Sequence, residues 1–204
     1  MLSIRAQRIG VYGGSFDPIH YGHLAIAEEA RVVLELDQVL FVPAARQPLK
    51  DQAQSEANDR LRMVQLACQD HPGFMVDDLE LRRPPPSYTA DTLATLHERF
   101  GPATQFWFIL GADAANELPR WQRLTQILEL AHLAVVGRPR VQFDLAALQA
   151  IYPQFAERVV SIDGPQLEIS SSDLRRRLAA GLPVRYQLPE VVRAYIADHG
   201  LYQT

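Results

Sequence analysis

Cysteine is nearly absent: Cys68 is the only one in 204 residues. That excludes an intrachain disulfide and any zinc framework built on cysteines. No stretch approaches the run of about 18 apolar residues that a membrane-spanning helix needs. Positive charge is not in excess, since 20 lysines and arginines face 24 acids for a formal net charge of −4. Affinity resting on general attraction to nucleic acid or anionic lipid is therefore excluded, and any anion must be held by a local set of donors. There is no internal repeat, no low-complexity tract and no linker. The opening MLSIRAQRIGVYGG lacks an apolar signal core. Apolar residues make up 48% of the chain, enough for a sizeable core. The expectation is a cytoplasmic protein with a single domain over 1–204.

What is present is an alternation of strand and helix patterns. Apolar runs at Arg8–Tyr12, Val39–Val42, Phe74–Val76, Gln105–Leu110, His132–Val136 and Val159–Ile162 read as strands. Helical spacing appears in His23–Leu34, with Leu24, Ala27, Ala30, Val33 and Leu34 on one face. It recurs in Asp59–Gln69 through Leu61, Val64 and Cys68, and in Thr89–Phe100 through Leu93, Leu96 and Phe100. Leu124–Leu130, Asp144–Tyr152, Ser172–Ala180 and Glu190–His199 complete the helices, with Gly181 and Gly200 placed as left-handed terminators. Ala44–Asn58 reads as a loop, and Pro84-Pro85-Pro86 as a short stiff extended segment. The pattern predicts an α/β fold: a Rossmann-like, doubly wound parallel sheet with helices on both faces. A small C-terminal helical part covers about 170–204. Such sheets bind ligands beyond the C-terminal ends of their strands, which directs attention to the segments after Tyr12, Val42, Leu110, Val136 and Ile162.

The first of these turns is the most informative. Gly13-Gly14-Ser15-Phe16-Asp17-Pro18-Ile19-His20-Tyr21-Gly22-His23 joins the first strand to the first helix. Two glycines leave the main chain bare for a polyphosphate, and the unpaired amides of a helix start favour an anion. His20 and His23 sit three residues apart and can face one spot, with Gly22 between them keeping the approach open. The segment is neither a P-loop nor a G-x-G-x-x-G fingerprint. A glycine turn with two polar histidines, one capping a helix, is the plainer alternative. At the other end, Ile169-Ser170-Ser171-Ser172-Asp173-Leu174-Arg175 supplies a serine N-cap, an acid suited to the helix dipole, and an arginine fork. Ordinary capping explains it too; hydroxyls and amides facing a phosphate, with Arg175 as a charged partner, is the functional version.

Together these two motifs resemble the nucleotidyltransferase superfamily with an H-x-G-H motif. Within it, the chain looks like a member of the bacterial nicotinate-nucleotide adenylyltransferase family. The resemblance extends through Ser87-Tyr88-Thr89-x-x-Thr92-Leu93, Gly111-x-Asp113, Trp121 and Arg138-Pro139. It implies adenylyl transfer from ATP to nicotinate mononucleotide in NAD biosynthesis, without a covalent enzyme intermediate. It implies catalytic roles for His20, His23 and Arg175. The ATP site it implies is formed by Gly13, Gly14, Ser15, Phe16, Gly22, Gly111, Asp113, Ser171 and Ser172. Lys50, Tyr88, Thr89 and Trp121 are implied for the nicotinate nucleotide. Mg²⁺ is implied on the nucleotide phosphates, with no protein metal ligands. The chain departs from the common pattern at Leu49, where many relatives have His, at Gln122, where some have an aromatic, and at Ser172, often Thr.

The middle residues also have ordinary explanations. Thr89 suits an N-cap, although a helix N-terminus equally suits the carboxylate that distinguishes nicotinate from nicotinamide. Trp121 serves packing or offers a flat surface to a pyridine ring. Asp113 caps a short helix or accepts ribose hydroxyls, and Lys50 is by default a solvated lysine. The competing readings are a preference for nicotinamide mononucleotide and a non-catalytic adenine-nucleotide sensor. No nucleic-acid or membrane partner is expected, and the chain is expected to be a monomer or a dimer.

Overall fold

The computed structural model describes residues 6–48, 53–137, 141 and 143–203. Six parallel strands form one sheet: β1 (Arg8–Gly14), β2 (Gln38–Pro43), β3 (Phe74–Val76), β4 (Gln105–Gly111), β5 (His132–Val136) and β6 (Val159–Ile162). Their order is β3-β2-β1-β4-β5-β6, with β1 flanked by β2 and β4. The first half of the chain is wound outward from β1 in one direction and the second half in the other. The switch point falls between β1 and β4, where the connections leave a crevice beyond the strand ends.

Strand alternation divides the core into two layers. Phe106, Phe108 and Leu110 point to the face covered by α3 (Thr89–Phe100) and α5 (Leu124–Leu130). Trp107 and Ile109 point to the face covered by α1 (Tyr21–Val33), α2 (Ala57–Cys68), α7 (Ser171–Ala179) and α8 (Glu190–Asp198). Two short helices, α4 (Ala112–Ala115) and α6 (Leu145–Ile151), and two 3₁₀ turns, Leu118–Arg120 and Pro153–Arg158, fill the connections. No described helix is long and apolar enough to cross a membrane.

The doubly wound sheet agrees with the sequence expectation, and β3, β5, β6, α3 and α5 keep their expected bounds. Others shift. β1 runs through both glycines, because Gly13 and Gly14 still pair with Val42 and Pro43. α1 begins at Tyr21 rather than at residue 23, α2 begins at Ala57 and α7 at Ser171. Val33, expected inward, is 53% exposed, and Ile26 takes the buried position. The proline triplet does not run straight: it bends, with a cis peptide between Pro85 and Pro86. Gly181 and Gly200 adopt φ of +65° and +60°, as expected of left-handed helix terminators. The short helix that the sequence allows at Asp113 is present as Ala112–Ala115, whereas the two 3₁₀ turns have no sequence signal, since three to six residues carry too little periodicity to register.

Candidate functional site

The crevice at the switch point is a cleft of about 1130 Å³. Pockets for single small ligands span roughly 300–1,000 Å³, so this one lies at the large end of that scale. Its wall carries Gly13, Gly14, Ser15, Phe16 and His23 from the first turn. Gly111 ends β4 and Asp113 and Trp121 follow it, Tyr88 and Thr89 come from the start of α3, and Ser171, Ser172 and Arg175 from α7. His20 and Gly22 are the two described candidates that do not reach the wall. Lys50, Leu49 and Arg138-Pro139 lie outside the described residues. Of the strand ends expected to contribute, those of β1, β2 and β4 do. The described residues directly after β5 and β6 do not, and the chain returns to the wall only at Ser171.

The sequence reads both glycines as room for a ligand. In the structure Gly14 makes room for a side chain of the protein itself, since a Cβ there would sit 2.9 Å from the Phe16 ring. Phe16 folds back with φ +48° and packs edge-on against Tyr12 and His23. Gly22 is likewise bare for an internal reason, since a Cβ there would meet the His20 ring at 3.0 Å. Gly13, by contrast, faces only ordinary contact with Phe108.

The two imidazoles do converge. Their rings stack with centroids 3.7 Å apart and planes 21° apart. His20 is the N-cap of α1 and His23 its third residue, and the His20 amide donates to Nδ1 of His23 at 3.3 Å. This is the geometry of a capping box, with histidine in the place usually held by Glu or Gln. With Nδ1 accepting, the proton of a neutral His23 ring sits on Nε2, which becomes the ring's donor. His20 is only 4% exposed and lies behind His23. His23 therefore presents the imidazole at the cleft, and His20 supports it from below.

The signature turn is fastened from several sides by residues that sequence reasoning missed. Arg60, on the buried face of α2, donates to the carbonyls of Ser15 at 2.8 Å and Ala44 at 2.7 Å. Burial lowers its pKa, which nearby Asp17 offsets by favouring the charged form. Asp17 accepts from the amides of Gln54 at 2.8 Å and Ser55 at 3.3 Å, and from the Tyr202 hydroxyl at 2.7 Å. It also receives the Ser55 hydroxyl. Ser15 donates to Gln47 at 3.0 Å. Arg60 had a readable signal, a charge beside Met63 and Val64 on an apolar helix face. Tyr202, 185 residues from Asp17, had none.

The last motif is sewn to the first. The Ser171 hydroxyl donates to the Pro18 carbonyl at 2.9 Å, across 153 residues. Arg175 donates to the Asp17 carbonyl at 2.8 Å and stands 3.8 Å from its carboxylate. Ser170 caps α7, accepting from the Asp173 amide at 3.2 Å. Of the three consecutive arginines only Arg175 faces the cleft; Arg176 pairs with Asp173 and Arg177 donates to the Pro183 carbonyl.

At the other end of the cleft Tyr88, not Thr89, is the N-cap of α3, and Thr89 is its first residue. The Arg123 guanidinium lies 5.3 Å from the Tyr88 ring and pairs with Asp91. Trp121 packs edge-on against Phe108 at 5.9 Å. Asp113 occupies the first turn of the short helix Ala112–Ala115, whose N-cap is Gly111. No group of three His, Cys, Asp or Glu suited to a metal ion occurs among the described residues. The carboxylate nearest the signature turn, Asp17, is already engaged by hydrogen bonds.

An open parallel sheet whose switch-point crevice is lined by helix starts and by one member of a stacked His pair defines a Rossmann-like nucleotide-binding protein. A family model described as cytidylyltransferase-like matches residues 11–177. A protein of Roseiflexus sp. (strain RS-1) named "Probable nicotinate-nucleotide adenylyltransferase" is 53% identical over 96% of this chain and 98% of its own. One of the same name from Herpetosiphon aurantiacus is 50% identical over the same shares. A solved structure of Plasmodium falciparum nicotinic acid mononucleotide adenylyltransferase complexed with NaAD superposes with TM-score 0.80. It covers 96% of this chain and 97% of that one at 22% identity, a likeness of fold. The chain belongs to the cytidylyltransferase-like family and, within it, to the nicotinate-nucleotide adenylyltransferases.

Proposed function

We propose that this chain transfers the adenylyl group of ATP to nicotinate mononucleotide, giving nicotinate adenine dinucleotide and pyrophosphate in NAD biosynthesis. The observation that carries the reading is the joining of the two motifs. His23, the signature turn and the start of α7 meet at one end of a cleft whose other end is the start of α3. ATP lies along the first end, with Gly13, Ser15, Phe16, Gly111, Asp113, Ser171, Ser172 and Arg175 around it. The pyridine end takes Tyr88, Thr89 and Trp121, and Lys50 belongs with the phosphates.

The acceptor phosphate is already an anion, so it attacks the α-phosphorus in line without a side-chain base, and pyrophosphate departs with the bonding pair. The protein supplies alignment and charge stabilisation. Nε2 of His23 donates to the triphosphate, the Arg175 fork and the Ser171 and Ser172 hydroxyls add donors, and His20 holds the His23 ring in register. Ser15, Ser171, Ser172 and Arg175 on the wall are donors suited to phosphate oxygens, and Mg²⁺ would be held by the triphosphate itself. Bound there, Mg²⁺ supplies charge neutralisation of the leaving pyrophosphate.

The test is pyrophosphate release from ATP with nicotinate or nicotinamide mononucleotide as acceptor, each with and without Mg²⁺. Release with the nicotinate acceptor and Mg²⁺ is expected. Faster release with the amide reverses the substrate assignment, and release with neither identifies a nucleotide sensor.

A further inference from the structure

Glu80 is a charged side chain on the cleft wall that the reaction leaves without a role, and it is only 6% exposed. The Thr92 hydroxyl donates to its Oε1 at 2.5 Å, and Arg83 in turn donates to Thr92 Oγ1 at 2.6 Å. Ser87 also acts on the carboxyl, favouring its charged form. Ser87 and Thr92 stand on either side of Tyr88 and Thr89, the N-cap and first residue of α3. Ser87 is held on its far side as well. Its amide donates to the Arg46 carbonyl at 2.9 Å, and its Oγ accepts from the Ala45 amide at 3.2 Å. One buried carboxyl group is thus bonded to one flank of the helix start and acts on the other, which is itself tied to the loop after β2.

A carboxylate is costly to bury unless hydrogen bonds compensate it. Burial raises the Glu80 pKa while the two hydroxyls and Arg83 pull it down. Packing alone does not call for such a group here. Two hydroxyls converging from different segments do, because a carboxylate has two acceptor oxygens whereas an amide has one.

We propose that Glu80 is a positioning residue for the acceptor nucleotide: its carboxyl group locks Ser87 and Thr92 so that the first-turn amides of α3 present a fixed receptor for the pyridine carboxylate. This rests on the adenylyl-transfer reading above and adds to it the device that selects acid over amide. Amide donors to an anion must be aimed, and a loosened first turn loses more with nicotinate than with neutral nicotinamide. ATP lies against β1 and α7, which Glu80 reaches only through the loop after β2, so the effect there is smaller.

The experiment is steady-state kinetics of the full chain with ATP and nicotinate mononucleotide varied separately, for wild type, Glu80→Gln, Glu80→Ala and Thr92→Val. Losing one compensated hydrogen bond is worth a factor of about ten. Glu80→Ala is therefore expected to raise KM for nicotinate mononucleotide about tenfold, with KM for ATP changed by less than about twofold. Glu80→Gln, keeping one acceptor, falls between Glu80→Ala and wild type. The preference for nicotinate over nicotinamide mononucleotide drops in the same order. If Glu80→Ala fails to fold, Thr92→Val gives the same split by removing one hydroxyl and leaving the carboxyl. An unmoved KM for the nicotinate acceptor, or parallel rises in both KM values, overturns the assignment of Glu80 alone. A wild-type enzyme inactive toward nicotinate mononucleotide overturns it together with the proposed function.

Discussion

Replacing His23 separates its capping role from the phosphate-donor role proposed for it, because the two respond oppositely to one further substitution. In His23→Ala the His20 amide loses its 3.3 Å acceptor and the ring contacts with His20, Phe16 and Tyr12 vanish. A lost cap costs about 0.5–2 kcal/mol. Aromatic contacts add about 0.5–1.5 kcal/mol beyond buried area. The sum, about 1–3.5 kcal/mol, lowers Tm by roughly 2–14 °C for a chain of this size. Turnover falls far more, by about 10²–10³, the cost of one oriented transition-state donor. His23→Glu then distinguishes cap from donor. Glutamate is the usual third residue of a capping box and suits the positive end of the helix dipole, so it recovers stability lost by alanine. It offers no N–H and sets a negative charge beside the triphosphate, so turnover falls below that of alanine. Thermal melts and pyrophosphate release on the same preparations measure both. A glutamate variant with restored turnover refutes the donor role, leaving His23 as a cap.

Three further expectations follow from particular contacts. Tyr202→Phe removes one donor from the buried Asp17 carboxylate, worth about 1.5–3 kcal/mol, and lowers Tm by several degrees; an unchanged melt shows that the C-terminal tie contributes nothing. Arg175→Lys loses the fork that reaches the Asp17 carbonyl and Ser172, and kcat drops by about 10–10² with the melt little altered; wild-type kcat removes Arg175 from the site. Burial pushes the Cys68 thiol up from 9.0 to about 12, so the folded state holds its proton where the unfolded state releases it. That stabilisation is complete below pH 9 and is lost at about 1.4 kcal/mol per pH unit as pH rises from 9 towards 12. Urea midpoints measured over that range fall less steeply in Cys68→Ala, and equal slopes contradict the burial argument.

The layers of the fold were legible because strands buried on both faces read as plain apolar runs: QFWFIL at 105–110 needs no context to be a central strand. The two motifs were legible because they combine glycine, histidine and serine in a spacing that packing does not produce. What stayed hidden is the material connecting them. Gly14 and Gly22 announce a close approach, but only the folded chain reveals that the approaching groups are the Phe16 and His20 rings. His20 and His23 carry the same chemistry in the sequence, and burial alone separates the ring at the cleft from the one behind it. Asp17 reads as part of a turn, yet its partners come from residues 54, 55, 175 and 202, none of them near it in the chain.

Those hidden contacts form a continuous path across the cleft, and the chemistry requires one. In-line attack demands that the acceptor phosphate and the α-phosphorus be set relative to each other, although the residues proposed for the two substrates belong to different elements. On the α3 side, Glu80 is bonded to Thr92 and acts on Ser87, whose Oγ accepts from the Ala45 amide. Arg60 joins the Ala44 carbonyl of that loop to the Ser15 carbonyl of the signature turn. Arg175 and Ser171 then tie Asp17 and Pro18 to α7. Each bond alone is worth only about 1 kcal/mol in stability. An error of about 1 Å between reacting atoms costs about 10² in rate. The path is therefore better understood as fixing the distance between two phosphates than as holding the fold together. Variants along it should lose kcat in greater proportion than they lose stability.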